Sequence, residues 1–585
     1  MGDGRDRLNG WRVLGVTLGC GVALLSLVPR LAAQPAPPLP PPGRPATNPL
    51  LPPRPDQEPL PLPSPAPLPP SPLQIPDLPP DRPPVLDPNT PRPTLFVRQI
   101  VVKGSTVFSA AELAAVTRPF EQQTLTFEQL LEVRAAITQL YSDRGYVTSG
   151  AFLPPQDDLA TGVITVQVVE GTLERIELSG LQRLRDRYVR RRLELAARPP
   201  LNLRQLESAL QLLQLNPLIG SVRAELRAGT APGRSVLAVT LQETKAFRAA
   251  ALLENRDPPS VGSFRGSVII GHDNLLGLGD RASAELGLTA GVTALNLAYT
   301  LPINARDGTF QVRYDRNRSA IIEDPFSLLD INSNSETLSL GVRQPLLRTP
   351  RQEFAIGVAL DLRRSQSFLF GNQPFSFSLG ADRGESRVRV LRFSQDWLRR
   401  GNQSVMAARS QLSFGLPILN ATQNDAGIDG TFFSWLGQVQ WVQALSRDVT
   451  LTTRLAAQLT PNNLLALEQF SLGGVDTVRG FRQNYRVADN GVFGSVELRF
   501  PLLQQDDGIG QIHLTPFVDV GKVWNQLGTI PSPQLLASTG VGLRWQIGNT
   551  WFARLDWGIP LVSRDRVGNT LQDSGVVFSL RLQFF

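Results

Sequence analysis

The stretch IHLTPFVDVG at residues 512–521 decides the fold of the C-terminal part of this chain. Its even-numbered positions are apolar, and its odd-numbered positions are His513, Thr515, Phe517, Asp519 and Gly521. In a β-strand these two sets face opposite sides of the sheet. If the apolar set faces lipid, Asp519 faces inward, whereas the opposite register would place a carboxylate and an imidazole in hydrocarbon, at a cost on the order of kcal/mol each. The stretch therefore predicts a membrane strand with an inward-facing acid.

The motif VRGF at residues 478–481 precedes that strand, within a polar loop that covers residues 461–490. Its arginine, Arg479, is able to fold inward and meet the carboxylate of Asp519. Each of the two residues, taken alone, is also explained as an ordinary loop arginine or as an acid near a turn. Glu497, which alternation places on the inward face of its strand, is an alternative partner for Arg479. The residues therefore offer an inward-facing acid and a loop arginine that is able to meet it, and the choice of partner stays open at this point.

The same alternation continues through residues 248–585. About sixteen alternating segments are separated by turn or loop residues; a membrane strand needs roughly nine to eleven residues, and bacterial barrels contain an even number of strands. A soluble β-sandwich also alternates, but so many uninterrupted strands, with Arg, Glu, Gln and Gly on the inward face, favour a membrane barrel. We therefore predict a mainly β fold, a 16-stranded transmembrane β-barrel with the 461–490 loop folded inward.

The N-terminal region has a different composition. Residues 1–33 combine early arginines, an apolar run and Leu31-Ala32-Ala33, which is typical of a secretory signal peptide. Lipoprotein attachment at Cys20 is the alternative. Residues 34–93 hold 27 of the 49 prolines, and proline fixes φ and removes a backbone donor, so we predict a disordered, extended Pro-rich linker. A tether that contacts peptidoglycan or a partner protein is the second interpretation of this segment.

Two similar modules follow the linker, at residues 94–171 and 172–247. Each orders one strand, two helices and two strands, and capping patterns such as Ser109 with Glu112 and Thr126 with Gln129 mark helix starts. We therefore predict two α+β domains. The arginines between residues 183 and 192 are interpreted as a solvated helix face, with contact to lipid headgroups or to a bound polypeptide as the alternative.

These features resemble the polypeptide-transporting outer-membrane barrels. A VRGF-type loop followed by an F-x-D-x-G strand is the signature of that superfamily, which contains the BamA-type insertases and the two-partner-secretion transporters of the haemolysin-activator kind. The α+β modules resemble polypeptide-transport-associated (POTRA) domains. The GYV, LPPQ and VEG motifs between residues 145 and 171 resemble the haemolysin-activator subtype. Some members of that family begin with a plug helix, and the proline content of residues 34–93 departs from this pattern.

The resemblance also implies roles for the motif residues. It places Arg479 inside the barrel, in contact with Asp519. The residues that shape the surroundings of this pair are then Gly480, Phe481, Phe517 and Gly521, and Val478 completes the pore-loop motif. The final Phe584-Phe585 resembles the terminal aromatic signal by which such barrels are recognised for assembly, which implies the barrel-assembly machinery as a partner for the insertion of this chain.

Composition excludes several other classes. The sequence has one cysteine, two histidines and none of the nucleotide-binding or hydrolase motifs G-x-x-x-x-G-K-[ST], G-x-S-x-G and H-E-x-x-H. We therefore expect no enzyme, no metal and no cofactor, and interpret His272 and His513 as structural. The net charge is +7, but the arginines are scattered rather than gathered on one stripe, so we expect no nucleic acid as a partner.

The expected function is secretion of a partner polypeptide across the outer membrane, with POTRA domains in the periplasm and a barrel in outer-membrane lipid. The resemblance implies that the partner is a large β-helical exoprotein with an N-terminal secretion domain, such as an adhesin or haemolysin. An insertase of the BamA kind and a passive porin are the alternatives.

Overall fold

The computed structural model describes residues 57–62, 65, 67–74, 94–156, 159–425, 427–505, 510–528, 530, 532–564 and 568–584. The signal peptide expected at residues 1–33, most of the Pro-rich linker and the terminal Phe585 lie outside the described residues. Among the described helices, none combines the length and the apolarity needed to cross a membrane.

The first α+β module has two helices, α1 (Ala110–Thr117) and α2 (Phe127–Asp143). Both begin at the expected capping boxes, because Ser109 and Thr126 each accept the N–H of the third helical residue. The helices cover a three-stranded sheet in the order Gln99–Lys103, Val163–Val169, Gly150–Phe152. A second ladder, Thr94–Val97 with Gln123–Thr126, is an addition to the predicted order.

The second module repeats this plan with helices α3 (Asp186–Ala196) and α4 (Leu203–Gln214). Its core contains the inward leucines of α4, Leu206, Leu210 and Leu213. Its sheet has the order Ile219–Ala228, Arg234–Glu243, Thr172–Ser179, and a short strand, Leu73–Gln74, adds in parallel to the edge formed by residues 219–228. The prediction of two α+β domains is confirmed.

The described part of the Pro-rich segment differs from a linker without contacts. Leu73 pairs with Ala224, and the carbonyl of Pro72 accepts the N–H of Ala224 at 2.9 Å. Residues 57–60 reach the inside of the barrel. Proline prevents a helix but leaves an extended backbone whose carbonyls accept hydrogen bonds, so such a segment can still pair at an edge. The expectation of disorder therefore needs correction for these residues.

The C-terminal part is a closed barrel of sixteen antiparallel strands, as predicted. We number them β1 to β16, with these bounds: Phe247–Glu254, Arg265–Asp273, Arg281–Leu288, Val292–Pro302, Thr309–Ala320, Asn332–Arg348, Gln352–Leu369, Glu385–Arg400, Ser404–Gly415, Phe433–Ala444, Thr450–Leu459, Asn490–Gln505, Gly510–Trp524, Leu535–Ile547, Trp551–Pro560 and Val576–Gln583. β1 pairs with both β2 and β16, which closes the sheet and removes its edges. A further two-residue strand, Gln373–Pro374, pairs with the end of β7.

The strand faces follow the predicted alternation. In β13, Val518 and Val520 are 55% and 46% exposed on the outside, whereas Phe517 and Asp519 are 3% and 0% exposed on the inside. In β14, Leu543 and Trp545 are exposed on the same outer face, and Ser538 is buried. The arrangement fits apolar side chains that face hydrocarbon and polar ones that face the lumen.

Candidate functional site: the inward-folded loop

The loop between β11 and β12 folds back into the barrel. β1 starts beside the POTRA modules, so counting strands places this loop at the opposite, extracellular end. It contains a turn of 3-10 helix at Ala466–Glu468 and a small ladder, Phe470–Leu472 with Arg486–Ala488, where we had expected no strand. Val478, Phe481 and Tyr485 join a buried cluster with residues of β12, β13 and β14. The loop is therefore packed against the inner wall of the barrel.

Arg479, at the tip of the loop, is fully buried and bonded to Asp519 of β13. Its Nε lies 2.8 Å from Asp519 Oδ2 and its Nη2 lies 2.9 Å from Oδ1. The backbone N–H of Arg479 donates to the same carboxylate at 3.1 Å. The guanidinium carbon also stands 3.4 Å from the ring centre of Phe517. The paired geometry is the strong bidentate form of an arginine–carboxylate contact.

Glu497 is a second partner of Arg479 rather than an alternative to Asp519. Its Oε2 lies 2.6 Å from Arg479 Nη1, and Arg544 of β14 approaches the same carboxylate at 3.1 Å. Asp556 of β15 lies 3.7 Å from Arg479 Nη1. Ser495 donates to Asp519 Oδ1 at 2.6 Å. A single loop cation is therefore surrounded by acids from three strands, and the sequence motifs indicated only one of these acids as the main partner.

Two close backbone approaches position the tip. A Cβ atom on Gly480, whose φ is +86°, would lie 2.8 Å from the carbonyl carbon and oxygen of Gly558 in β15, and one on Gly558 would lie 2.5 Å from the Gly480 nitrogen. On β13, a Cβ on Gly521 would lie 2.5 Å from Leu472 of the loop. The glycines of both motifs therefore leave room for the loop to lie against the wall. Gly558 was not indicated by either motif.

A second ion-pair cluster holds the other limb of the loop to the opposite wall. Glu468 is fully buried, and its carboxylate lies 2.8 Å from Arg363 Nη1 of β7 and 3.0 Å from Arg392 Nη2 of β8. Arg392 also pairs with Asp361 at 2.5 Å and donates to Ser413 at 2.8 Å. Here the loop supplies the anion and the wall supplies the cations. The sequence pattern does not indicate these residues, since only the inward parity of Arg363 and Asp361 on one strand relates them to the lumen.

A third contact ties the loop to its extracellular neighbours. Arg482 pairs with Asp573, in the β15–β16 loop, at 2.6 Å and with Glu323, in the β5–β6 loop, at 2.9 Å. Burial acts to lower the pKa of Arg482, but hydrogen bonds to the two carboxylates outweigh it and raise the pKa above its usual value. The arginine therefore stays charged, and the loop is joined to two surface loops as well as to the wall.

The Pro-rich segment reaches the same loop inside the barrel. The side-chain amide of Gln57 donates to the carbonyl of Gln469 and accepts the N–H of Ser471, both at 3.3 Å. Gln438 of β10 donates to the carbonyl of Glu58 at 3.1 Å, and Leu60 is buried. An extended segment therefore occupies lumenal space beside the loop.

The residues of this site attach the loop to the barrel wall. Arg479, Asp519 and Glu468 are 0% exposed, and their polar atoms are directed at one another. Buried ion pairs of this kind fix one conformation. Removing one partner of such a pair costs free energy, because the other charge is left buried and unpaired. The geometry is suited to holding a loop across a pore.

Three comparisons with known proteins bear on this site. The family described as haemolysin secretion/activation protein ShlB/FhaC/HecB matches residues 233–545, and the POTRA domain of the ShlB type matches residues 95–171. The outer membrane transporter CdiB of Escherichia coli O6:K15:H31 is 26% identical over 81% of this chain and 80% of its own. The solved structure of CdiB from Escherichia coli, 23% identical, covers 86% of this chain and 92% of its own with a TM-score of 0.68. BamA from Haemophilus ducreyi, lacking POTRA domains 1–3, is 14% identical, with a TM-score of 0.50 over 84% of this chain and all of the solved one.

Proposed function

Because this chain belongs to the haemolysin secretion/activation protein family, ShlB/FhaC/HecB, we propose that it secretes a partner polypeptide across the outer membrane. The barrel lies in the outer membrane and the POTRA domains lie in the periplasm. The observation that carries the proposal is the loop that crosses a sixteen-stranded barrel and is held by buried ion pairs on two walls. Such a loop can block the lumen at rest and shape it during transport.

The partner is a large β-helical exoprotein with an N-terminal secretion domain, captured unfolded by the POTRA domains. Edge addition is the binding mode that we infer, because an extended segment joins an exposed sheet edge through backbone hydrogen bonds. Support comes from Leu73–Gln74, an extended segment that pairs in this way with the edge at residues 219–228. The sequence has no nucleotide-binding loop, so folding of the partner outside the cell supplies the driving force.

We also infer that the barrel reaches the outer membrane through the barrel-assembly machinery and that it is not an enzyme. Phe584, which directly follows β16, continues the outward apolar face of that strand and supports recognition by that machinery. The fully buried arrangement of Arg479 and its acids supports a positioning role instead of catalysis.

The deciding experiment is quantitative proteomics of outer membrane and culture medium, with and without this protein. We expect one or two large exoproteins to disappear from the medium while other barrels hold steady. The BamA-type insertase function predicts that many barrels fall together. A passive porin predicts that neither fraction changes, and either of these results would contradict the proposal.

A further inference from the structure

A cleft of about 550 Å³ lies where the second POTRA module meets the barrel. One wall is formed by helices α3 and α4. The other wall is formed by the β4–β5 turn at residues 303–308 and by the end of β6 with the turn that follows it, residues 345–349. Both turns are at the end of the barrel that faces the POTRA modules, so the cleft opens at the level of the periplasmic leaflet.

The two walls are held together by direct contacts. Arg192 of α3 bonds to Asp307 of the β4–β5 turn, with Nη2 2.6 Å and Nε 2.9 Å from Oδ1. Its guanidinium carbon stands 3.5 Å from the ring centre of Tyr188. The N–H of Arg185 donates to the carbonyl of Gly277, in the β2–β3 turn, at 3.0 Å. The cleft is therefore defined by specific contacts between the second POTRA module and the barrel turns.

The charge of the cleft is strongly positive. Five arginines line it, and Asp307 is the single carboxylate among the described lining residues. Asp307 is engaged by Arg192 and, at 3.3 Å, by Arg348. The three remaining arginines, Arg198, Arg204 and Arg306, are exposed, and within the described part of the chain none of them is paired with a carboxylate; Arg204 donates only to the backbone carbonyl of Asp143. An uncompensated set of guanidiniums that face one space attracts an anion.

The rest of the lining is aliphatic. Leu195, Leu212 and Leu346 contribute apolar surface. Leu346 occupies an irregularity in the pairing of β6 with β7, between Pro345 and Leu347, and is 62% exposed. Arginines beside the half-buried Leu195 and Leu212 and the exposed Leu346 suit a ligand with a charged head and an apolar tail.

We propose that this cleft binds an anionic phospholipid of the periplasmic leaflet, with its phosphate between Arg198, Arg204 and Arg306 and its acyl chains against Leu346. The bound lipid would neutralise the arginines and join the POTRA module to the membrane. The proposal goes beyond secretion and depends only on the position of the barrel in the outer membrane. Its test needs no partner polypeptide, so its failure is distinguishable from failure of the proposed function.

The experiment uses the full purified chain in detergent, with phosphatidylglycerol and phosphatidylcholine offered in equal amounts and bound lipid read by native mass spectrometry. We expect one retained phosphatidylglycerol. The double variant Arg198→Ala/Arg306→Ala is expected to weaken its binding about thirtyfold, since each surface arginine contributes on the order of 1 kcal/mol. The control is Arg187→Ala/Arg191→Ala, which removes the same charge from exposed positions on α3 outside the cleft. Heat-modified mobility on gels checks that every variant contains a folded barrel.

Several outcomes would overturn the assignment. Equal losses of phosphatidylglycerol binding in both double variants would mean that positive charge anywhere on the surface attracts the lipid. Equal retention of the two lipids would mean that the cleft does not distinguish an anionic headgroup from a zwitterionic one. Full competition by inorganic phosphate, together with unchanged binding in Leu346→Asp, would mean a small-anion site. A variant of the cleft that keeps phosphatidylglycerol but loses secretion would assign the arginines to the partner polypeptide.

Discussion

Asp519 accepts three hydrogen bonds from Arg479, two from the guanidinium and one from the backbone N–H. The backbone bond means that the carboxylate holds the main chain of the loop tip as well as its side chain. Neither residue is exposed to solvent. The pair therefore acts as a fixed point for the loop.

Replacing Arg479 with alanine is expected to abolish secretion while barrel assembly continues. Three acids, Asp519, Glu497 and Asp556, would lose their common cation, and breaking a buried ion pair by removing one partner costs about 3–5 kcal/mol. Secreted exoprotein in the medium and the amount of barrel in the outer membrane are the two measurements. Arg499→Ala is the matched control, because Arg499 is an exposed, inward-parity arginine of β12 without a carboxylate partner among the described residues. A variant that secretes normally, or that is absent from the membrane, would contradict the expectation.

Exchanging Arg479 and Asp519 is expected to recover little secretion. A pairing of these two residues alone would give partial recovery, but an aspartate at position 479 stands beside Glu497 and Asp556, and like charges at such distances repel. Adding Glu497→Gln to the exchange removes one of these repulsions and should improve recovery. Secretion is measured in the exchange with and without the third change. Full recovery of secretion by the exchange of Arg479 and Asp519 alone would show that Glu497 and Asp556 do not affect secretion.

Glu468→Gln is expected to release the second limb of the loop. Arg392 would keep Asp361, whereas Arg363 would lose its carboxylate partner, at a cost of about 3–5 kcal/mol for the unpaired buried charge. Pore conductance in planar bilayers should rise, and it should rise further when Arg479→Ala is combined with this change, because the loop is then free at both walls. Glu285→Gln, an inward carboxylate of β3 without an ion pair in the described residues, is the control. Equal conductance in the two glutamine variants would refute the second attachment.

Gly558→Ala is expected to displace the loop tip without altering any charge. The new Cβ would lie 2.5 Å from the Gly480 nitrogen, and overpacking of this kind costs about 1–3 kcal/mol. When intact cells are treated with a protease, cleavage within the 461–490 loop should become faster. Gly266→Ala in β2, where a Cβ would meet nothing within 4 Å, should leave cleavage unchanged. If both variants resist the protease like the natural chain, the backbone contact does not position the tip.

Leu60→Asp is expected to expel the Pro-rich segment from the lumen and to raise conductance. Leu60 is 7% exposed, and burial of such a side chain stabilises the bound position of the segment by about 1.5–3 kcal/mol. A carboxylate at this position would lose that stabilisation. Pro61→Ser is the control, because Pro61 is exposed in the same segment. Bilayer conductance is compared between the two. An unchanged conductance in Leu60→Asp would mean that the segment does not narrow the pore.

Sequence alone determined the sixteen strands, their inward and outward faces, the two α+β modules and the pairing of Arg479 with Asp519 as a hypothesis. These features are visible because a strand alternates with a period of two and because helix caps are local. The Gly480 and Gly521 positions belong to motifs, and the space that they leave for close approach explains why glycine stands there.

Only the tertiary structure decided which side chains meet across the lumen. Glu468 is about a hundred residues from Arg363 in the chain, and nothing in the local pattern of either residue indicates the other. The same holds for Gly558 under Gly480, for Gln57 beside Gln469, and for the cleft between α3 and the barrel turns. A period of two assigns each residue to a face, but closure of the barrel and the path of the loop decide which positions on that face lie within bonding distance.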